Sequence, residues 1–475
     1  MTPVTRSILV GAEMLNWSDL HPVDARPPAA GPAASALLDA ALSATDSVLL
    51  AGPHSLDLIT AIADRVASLD ILVRSAPDAE EIAELLDSSQ VFCGALDRFT
   101  PAHGSSEYDV IVALDGLDRL VGPDTAKLTW ADALASLQDR LASSGRLLLG
   151  ATNRFGFERF IQPDIMAALP RNEDWGRDLA DSAPAGLKPL QTAVANAGLE
   201  IARTYAVFPS LVDASVALTE LDGLAAVLAA KAVAECNAGP TLMDPYRLVL
   251  DAVGSGLAIE LAPAWYIVAG VTDLPTVLPI GVVPDGPGVL LEEHLLAALR
   301  VDDQAALRRT IPDYVAWILA EDAAAGAPDN VILDGSSYRL FGDAEPIEAS
   351  GEALAVAHLA RFARRSLESG SRQPWPAGGD VQALTARLAS MAGITVPQGL
   401  SASAEVVRPL GSAEQLATVA RLQEELAEAS ARAILFEGQV SGIRRSRPYR
   451  VGHAVMNPAR VIVRRARRVL QKVRR

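Results

Sequence analysis

A chain of 475 residues is long enough for two or three domains, each with its own core. Half of its residues are apolar and 21% are charged, which sets it apart from disordered chains, and a net charge of −17 argues against a general nucleic-acid-binding surface. That total hides an asymmetry: residues 441–475 hold twelve Lys/Arg and no acid, so the tail seeks a negative partner while the body is more acidic than the sum shows.

Two cysteines, Cys93 and Cys236, give neither a disulfide framework nor zinc-ligand spacing, and are expected to be reduced, buried thiols of a cytoplasmic protein. The start, MTPVTRSILVGAEMLNW, lacks the charged-then-apolar layout of a signal peptide. The most apolar stretch, Gly254 to Val283, is interrupted by Glu260, Pro263, Asp273 and Pro275, so no membrane span is expected.

In chain order, residues 1–32 read as an N-terminal segment ending in a weakly structured linker, DARPPAAGP. Residues 33–43 read as a helix, and Ser47–Ala51 as a buried strand. The stretch VLLAGPHSLDLITAIADR, Val48 to Arg65, is a strand, a tight turn at Gly52-Pro53 and a helix with Leu58, Ile59, Ile62, Ala63 and Val66 at helical spacing. Further strands are expected at Asp70–Arg74, Gln90–Cys93, Tyr108–Leu114 and Arg146–Ala151, with helices at Asp78–Asp87 and Lys127–Ser143 between them. Such alternation predicts a mostly parallel sheet covered on both faces. A helix at Lys188–Ala197, strands at Leu199–Phe208 and Ala214–Leu218 and a helix at Leu221–Cys236 complete a first domain over 33–235.

Residues 236–400 form an accessory α/β region with strand-like runs at Leu257–Leu261, Trp265–Val271 and Asn330–Leu333 and helices at Leu291–Arg300, Asp303–Asp322 and Glu352–Ser366. Residues 373–379 read as a turn or linker. From Val419 to Val440 apolar residues fall three and four apart, predicting a coiled-coil-like helix over 411–440 and self-association through 419–440. In the tail, Val461, Ile462, Ala466, Val469, Leu470 and Val473 form an apolar stripe flanked by arginines. That is a basic amphipathic helix suited to an anionic membrane surface, or to docking on the acidic body.

Three segments carry a resemblance. VLLAGPHSLDLITAIADR, YDVIVALDGLDRL at 108–120 and SSGRLLLGATNRFGFERF at 143–160, with its Asn-Arg-Phe-Gly loop, resemble the first, fourth and fifth strands of class I S-adenosylmethionine-dependent methyltransferases. The likeness is greatest to the bacterial set found with surface-polysaccharide genes. It implies an α/β fold: a Rossmann-like methyltransferase domain with a mostly parallel sheet, a second mixed α/β region and a helical C-terminal arm. It also implies S-adenosylmethionine as cofactor and Gly52, His54, Arg74, Asp97 and Asp115 as the residues bordering it.

Departures from the family pattern weigh against that chemistry. Leu50 stands where the family has an acid for the methionine end of the cofactor, and only Gly52 remains of three turn glycines, His54 and Leu56 replacing the others. Arg74 stands where an acid accepts from the ribose diol, so the position donates instead. Ala95 replaces the acid facing the adenine amine, with Asp97 two residues on. Each lost partner costs about 1–3 kcal/mol, so three weaken binding by at least about two orders of magnitude. His54 is either a base in the turn or a helix-end imidazole meeting solvent. Asp97, Asp115 and Asp118 lie at strand carboxyl ends, as ligand contacts or as loop and capping groups.

PDNVILDGSSYRLFGDAE at 328–345 places Asn330 and Asp343 around a hairpin in a manner faintly like a kinase, yet the base position is Ala325 and no glycine-rich loop precedes it. A β-hairpin turning at Asp334-Gly335 explains the segment without catalysis. Two functions stand open. One is methyl transfer to a sugar or lipid-linked glycan hydroxyl in cell-surface polysaccharide biosynthesis. The other is a catalytically inactive methyltransferase-fold scaffold of a membrane-associated glycan assembly. Either is expected in the cytoplasm, peripheral at the inner face of the membrane.

Overall fold

The computed structural model describes residues 7–22, 26–86, 88–100, 107–125, 127–161, 177–236, 241–270, 273–368, 374–375, 380–396 and 412–446. Residues 1–412 form one unit and 413–475 a second.

The first unit is built on a ten-stranded sheet. Its strands are β1 (Ile8–Gly11), β2 (Ser47–Ala51), β3 (Ser68–Val73), β4 (Gln90–Gly94), β5 (Tyr108–Ala113), β6 (Leu141–Thr152), β7 (Ile201–Pro209), β8 (Ala214–Leu218), β9 (Ala264–Ala269) and β10 (Val277–Leu278). Their order is β1-β4-β3-β2-β5-β6-β9-β7-β8-β10. β1 through β6 pair parallel throughout, while β9 enters antiparallel between β6 and β7, and β8 and β10 add antiparallel partners at that edge. The chain reverses direction of winding between β2 and β5, so the crevice of a doubly wound sheet lies beyond their carboxyl ends.

Burial on both faces explains why the inner strands read as continuous apolar runs. In β2, Leu49 joins one core layer and Val48 and Leu50 the other. Helices α1 (Pro32–Ala41), α2 (Leu56–Ala63) and α3 (Ala76–Leu85) run before and between the early strands, and α2 and α3 are capped by Ser55 and Ser75. α4 (Trp130–Gln138) starts with a capping box of Thr129 and Asp132. α5 (Glu158–Ile161), α6 (Arg177–Ser182), α7 (Leu187–Asn196), α8 (Gly223–Cys236) and α9 (Pro245–Gly254) follow.

Beyond the large sheet come β11 (Val289–Leu290), β12 (Val331–Asp334) and β13 (Ser337–Leu340), a small antiparallel sheet, and helices α10 (Leu291–Arg300), α11 (Gln304–Glu321), α12 (Gly351–Glu368) and α13 (Val381–Met391) around their own core. α14 (Ser412–Arg445) is a single helix whose described side chains at Val419, Leu422, Leu426, Phe436 and Val440 are exposed.

Five expectations are corrected. The sheet runs past the boundary expected at 235, because β9 and β10 belong to it. The fourth helix ends at Gln138, and Leu141–Ser144 are already strand, since Leu141 pairs with Tyr108. Leu257–Leu261 is a turn closed by Leu261 N–H donating to Leu257 O, with the Trp265 indole donating to Ile259 O. Cys236 is exposed, while Cys93 is buried. The linker expected at the end of residues 1–32 is packed, as the next subsection describes. The hairpin at Asp334-Gly335 is present, and the Asn330 amide donates to Ala325 O and Gly342 O, a purely structural duty. Residues 447–475, and with them most of the basic tail, lie outside the described residues, as does most of 373–379.

Candidate functional site

The crevice expected at the carboxyl edge of β2, β3 and β5 exists, and the described residues 12–22 and 26–31 of the same chain fill it as a strap. The strap crosses the strand ends in turn. Ala95 N–H donates to Gly11 O beside β4. Met14 N–H donates to Arg74 O and Ala76 N–H to Met14 O beside β3. Ser55 N–H, at the start of α2, donates to Ala29 O, and Ala30 exchanges bonds with Leu211 and Ala214 beside β8. Gly31 makes the last crossing possible: at φ +109° it lies so close to Ala214 that an added Cβ would stand 2.4 Å from that residue's nitrogen.

Six buried or half-buried charges lock the strap in place. Arg74 donates from Nε and Nη2 to Asp19 at 2.8 Å each and from Nη1 to Val121 O at 3.0 Å; Asp19 and Arg74 are both nearly inaccessible. Asp19 also accepts from the Trp17 indole at 2.9 Å. Asp115, at the end of β5, accepts from Arg119 at 2.5 and 2.7 Å and from Arg26 Nη2 at 2.9 Å. Arg26 reaches Asp118 at 3.3 Å, and Arg119 donates to the carbonyls of Arg26 and Pro27 at 2.7 and 2.8 Å. Three arginines face three aspartates. Against the opposing push of burial, Arg74 and Arg119 hold the Asp19 carboxyl below its usual range, and Arg26 and Arg119 do the same for Asp118. A second tie runs through Asp78, which accepts from Ser18 Oγ and from the amides of Asp19 and Leu20.

His54 is fully buried, which corrects both readings of it. Nδ1 donates to Gly52 O at 3.0 Å while Nε2 accepts from Leu114 N–H at 3.1 Å, so the imidazole bolts the turn after β2 to the end of β5. Burial lowers its pKa to about 4, so the neutral ring that this geometry needs is the stable form near pH 7. Gly52 keeps the turn at φ +88°, and Leu50 is a core residue.

Gly52, His54, Arg74 and Asp115 therefore come together, whereas Asp97 sits apart in a short 3-10 turn after β4, paired with neighbouring Arg98 at 3.3 Å. Asp19, Arg26 and Arg119 escaped sequence reasoning. The available signal was Arg74 itself, because an arginine at a buried strand end demands a carboxylate from somewhere.

In this structure the polar groups at these positions are already engaged within the chain. The Arg74 guanidinium is taken by Asp19, the Asp115 carboxylate by two arginines, and a strap carbonyl covers the amide of Ser55 at the start of α2.

Beside the strap lies a cavity of about 240 Å3 at the carboxyl ends of β6 and β7, lined chiefly by aliphatic side chains and bordered by Arg26 and Glu158. Among the described residues, no group of His, Cys, Asp and Glu is arranged to hold a metal ion, and no helix is long and apolar enough to cross a membrane.

No family model and no curated protein sequence matches the chain. Solved structures do. The cyclopropane synthase MmaA2 of Mycobacterium tuberculosis is 15% identical over 50% of this chain and 82% of its own, with a TM-score of 0.27. The N-methyltransferase NodS of Bradyrhizobium japonicum, solved with S-adenosylhomocysteine, is 14% identical over 38% of this chain and 80% of its own, with a TM-score of 0.26. Scores of that size leave the fold to be argued from the strand order. A parallel β4-β3-β2-β5-β6 core with an antiparallel β9 set between β6 and β7 is the methyltransferase Rossmann-like fold.

Proposed function

We propose that this chain is a methyltransferase-like protein in which the cofactor crevice has become an internal joint, so that it works as a catalytically silent scaffold subunit. One observation carries this reading: the Asp19–Arg74 pair, with Arg26, Arg119, Asp115 and Asp118 around it, occupies the place where the fold's ligand would lie. Separating one member of such a buried pair costs about 3–5 kcal/mol, which alone lowers the apparent affinity of a competing ligand by about two to nearly four orders of magnitude. The resemblance of the Asn153–Gly156 loop to the polysaccharide-associated set supports a glycan assembly as the setting. The basic residues of 441–475 support contact with anionic lipid, and the exposed apolar residues of α14 support self-association through 419–440.

S-adenosylmethionine is the cofactor consistent with the fold of neighbours solved with S-adenosylhomocysteine. A second reading follows, methyl transfer to a sugar or lipid-linked glycan hydroxyl after the strap leaves; the cavity beside the crevice favours it, since an acceptor would enter there. Calorimetric titration of the full chain with S-adenosylmethionine separates the two. The scaffold reading expects no heat at millimolar ligand; binding tighter than ~100 μM overturns it.

A further inference from the structure

We propose that the cavity between the carboxyl ends of β6 and β7 is a binding site for a small aliphatic amine, whose cationic head is taken by the carboxylate of Glu158. Its walls come from Ile161, Leu211, Val212, Val233 and Pro263, and about 240 Å3 is more than the roughly 150 Å3 that suffices for benzene in an apolar protein cavity. Aliphatic walls select the body of the ligand. The head is selected by Glu158, whose Oε2 is shielded from solvent and has no hydrogen-bond partner. A buried carboxylate oxygen without a donor is costly, and an ammonium supplies both the donor and the opposite charge.

The Asn-Arg-Phe-Gly loop accounts for the placement of that carboxylate. Asn153 pins the loop, its amide donating to Glu260 O and Ala262 O at 2.8 Å each and its Oδ1 accepting from Phe155 N–H at 3.0 Å. Phe157 N–H then donates to Leu261 O, holding the start of α5 against the same segment. Gly156 leaves the space that Glu158 fills: a Cβ there would stand 2.5 and 2.9 Å from the two carboxylate oxygens. Burial pushes the Glu158 carboxyl up to about 7, against a hydrogen bond from its own backbone N–H and the pull of Arg159 on α5. Among the described residues, Arg26 of the strap is a second cation at the rim, already engaged by Asp115 and Asp118, and Cys236 at the end of α8, with Asp213 of the β7–β8 loop acting on it, also lies there.

The test is calorimetry on the full chain with n-hexylamine, n-hexanol and hexanoate as probes. Hexylamine is expected to bind best, at least tenfold more weakly to Glu158→Gln, and undetectably to Val212→Trp, which fills the cavity. Affinity rises between pH 6 and pH 8 as the carboxyl ionises, and Glu158→Gln removes that rise. No heat with hexylamine, equal binding of hexanoate, tighter binding of hexanol, or insensitivity to both substitutions overturns the proposal. None of these results depends on whether the crevice admits S-adenosylmethionine.

Discussion

Replacing Asp19 by alanine tests the joint directly. The substitution removes three hydrogen bonds, two from Arg74 and one from Trp17, and leaves the Arg74 guanidinium buried at 3% exposure without a facing carboxylate. Stranding one charge of a buried pair costs about 3–5 kcal/mol. An exposed pair, Asp39 with Arg65, contributes at most about 1 kcal/mol, so Asp39→Ala serves as the control. The double variant Asp19→Ala/Arg74→Leu removes the stranded charge, gives up the bond to Val121 O as well, and is expected to recover to within about 2 kcal/mol of the parent. Equilibrium urea unfolding gives the global figure, and hydrogen exchange at the amides of Met14, Ser55 and Ala76 reports whether the strap has lifted. A cost below about 1 kcal/mol for Asp19→Ala, or a double variant no better than the single, would refute the reasoning.

Two other outcomes follow from the same geometry and from the tail. His54 is buried neutral with its pKa near 4, below the 6.5 of the unfolded chain, so the unfolded state takes up the proton first on acidification. The stability it contributes is complete above about pH 6.5 and falls by about 3 kcal/mol towards pH 4; urea midpoints across that window show the loss, and His54→Gln flattens it. Deleting residues 441–475 is expected to abolish sedimentation with anionic vesicles, which in the full chain weakens as salt rises; unchanged pelleting excludes electrostatic anchoring by the tail.

The parallel core was legible because its strands are buried on both faces and alternate with amphipathic helices, so Val48–Ala51 and Tyr108–Ala113 announce themselves. β9 was legible as a strand and its place was not, since nothing local in Ala264–Ala269 tells that it will insert between β6 and β7. At the site, Arg74 was visible as a reversed charge at the ribose position. Its partner was hidden because Asp19 lies 55 residues upstream in a segment without periodicity. Linker-like composition at 24–32 misled for a related reason: prolines and alanines suit a loop, and equally a strap whose backbone, rather than its side chains, makes the contacts.

The strap also imposes an order on biosynthesis. Asp19, Arg26 and Ala30 leave the ribosome tens to nearly two hundred residues ahead of Arg74, Asp115, Asp118 and Ala214, the groups they engage. At about 5–20 residues per second, the strap waits seconds with its charges uncompensated by their eventual partners. Closing the carboxyl edge is therefore a late, long-range event, and a nascent chain stalled before β8 would present an open cleft to whatever chaperone or ligand reaches it first.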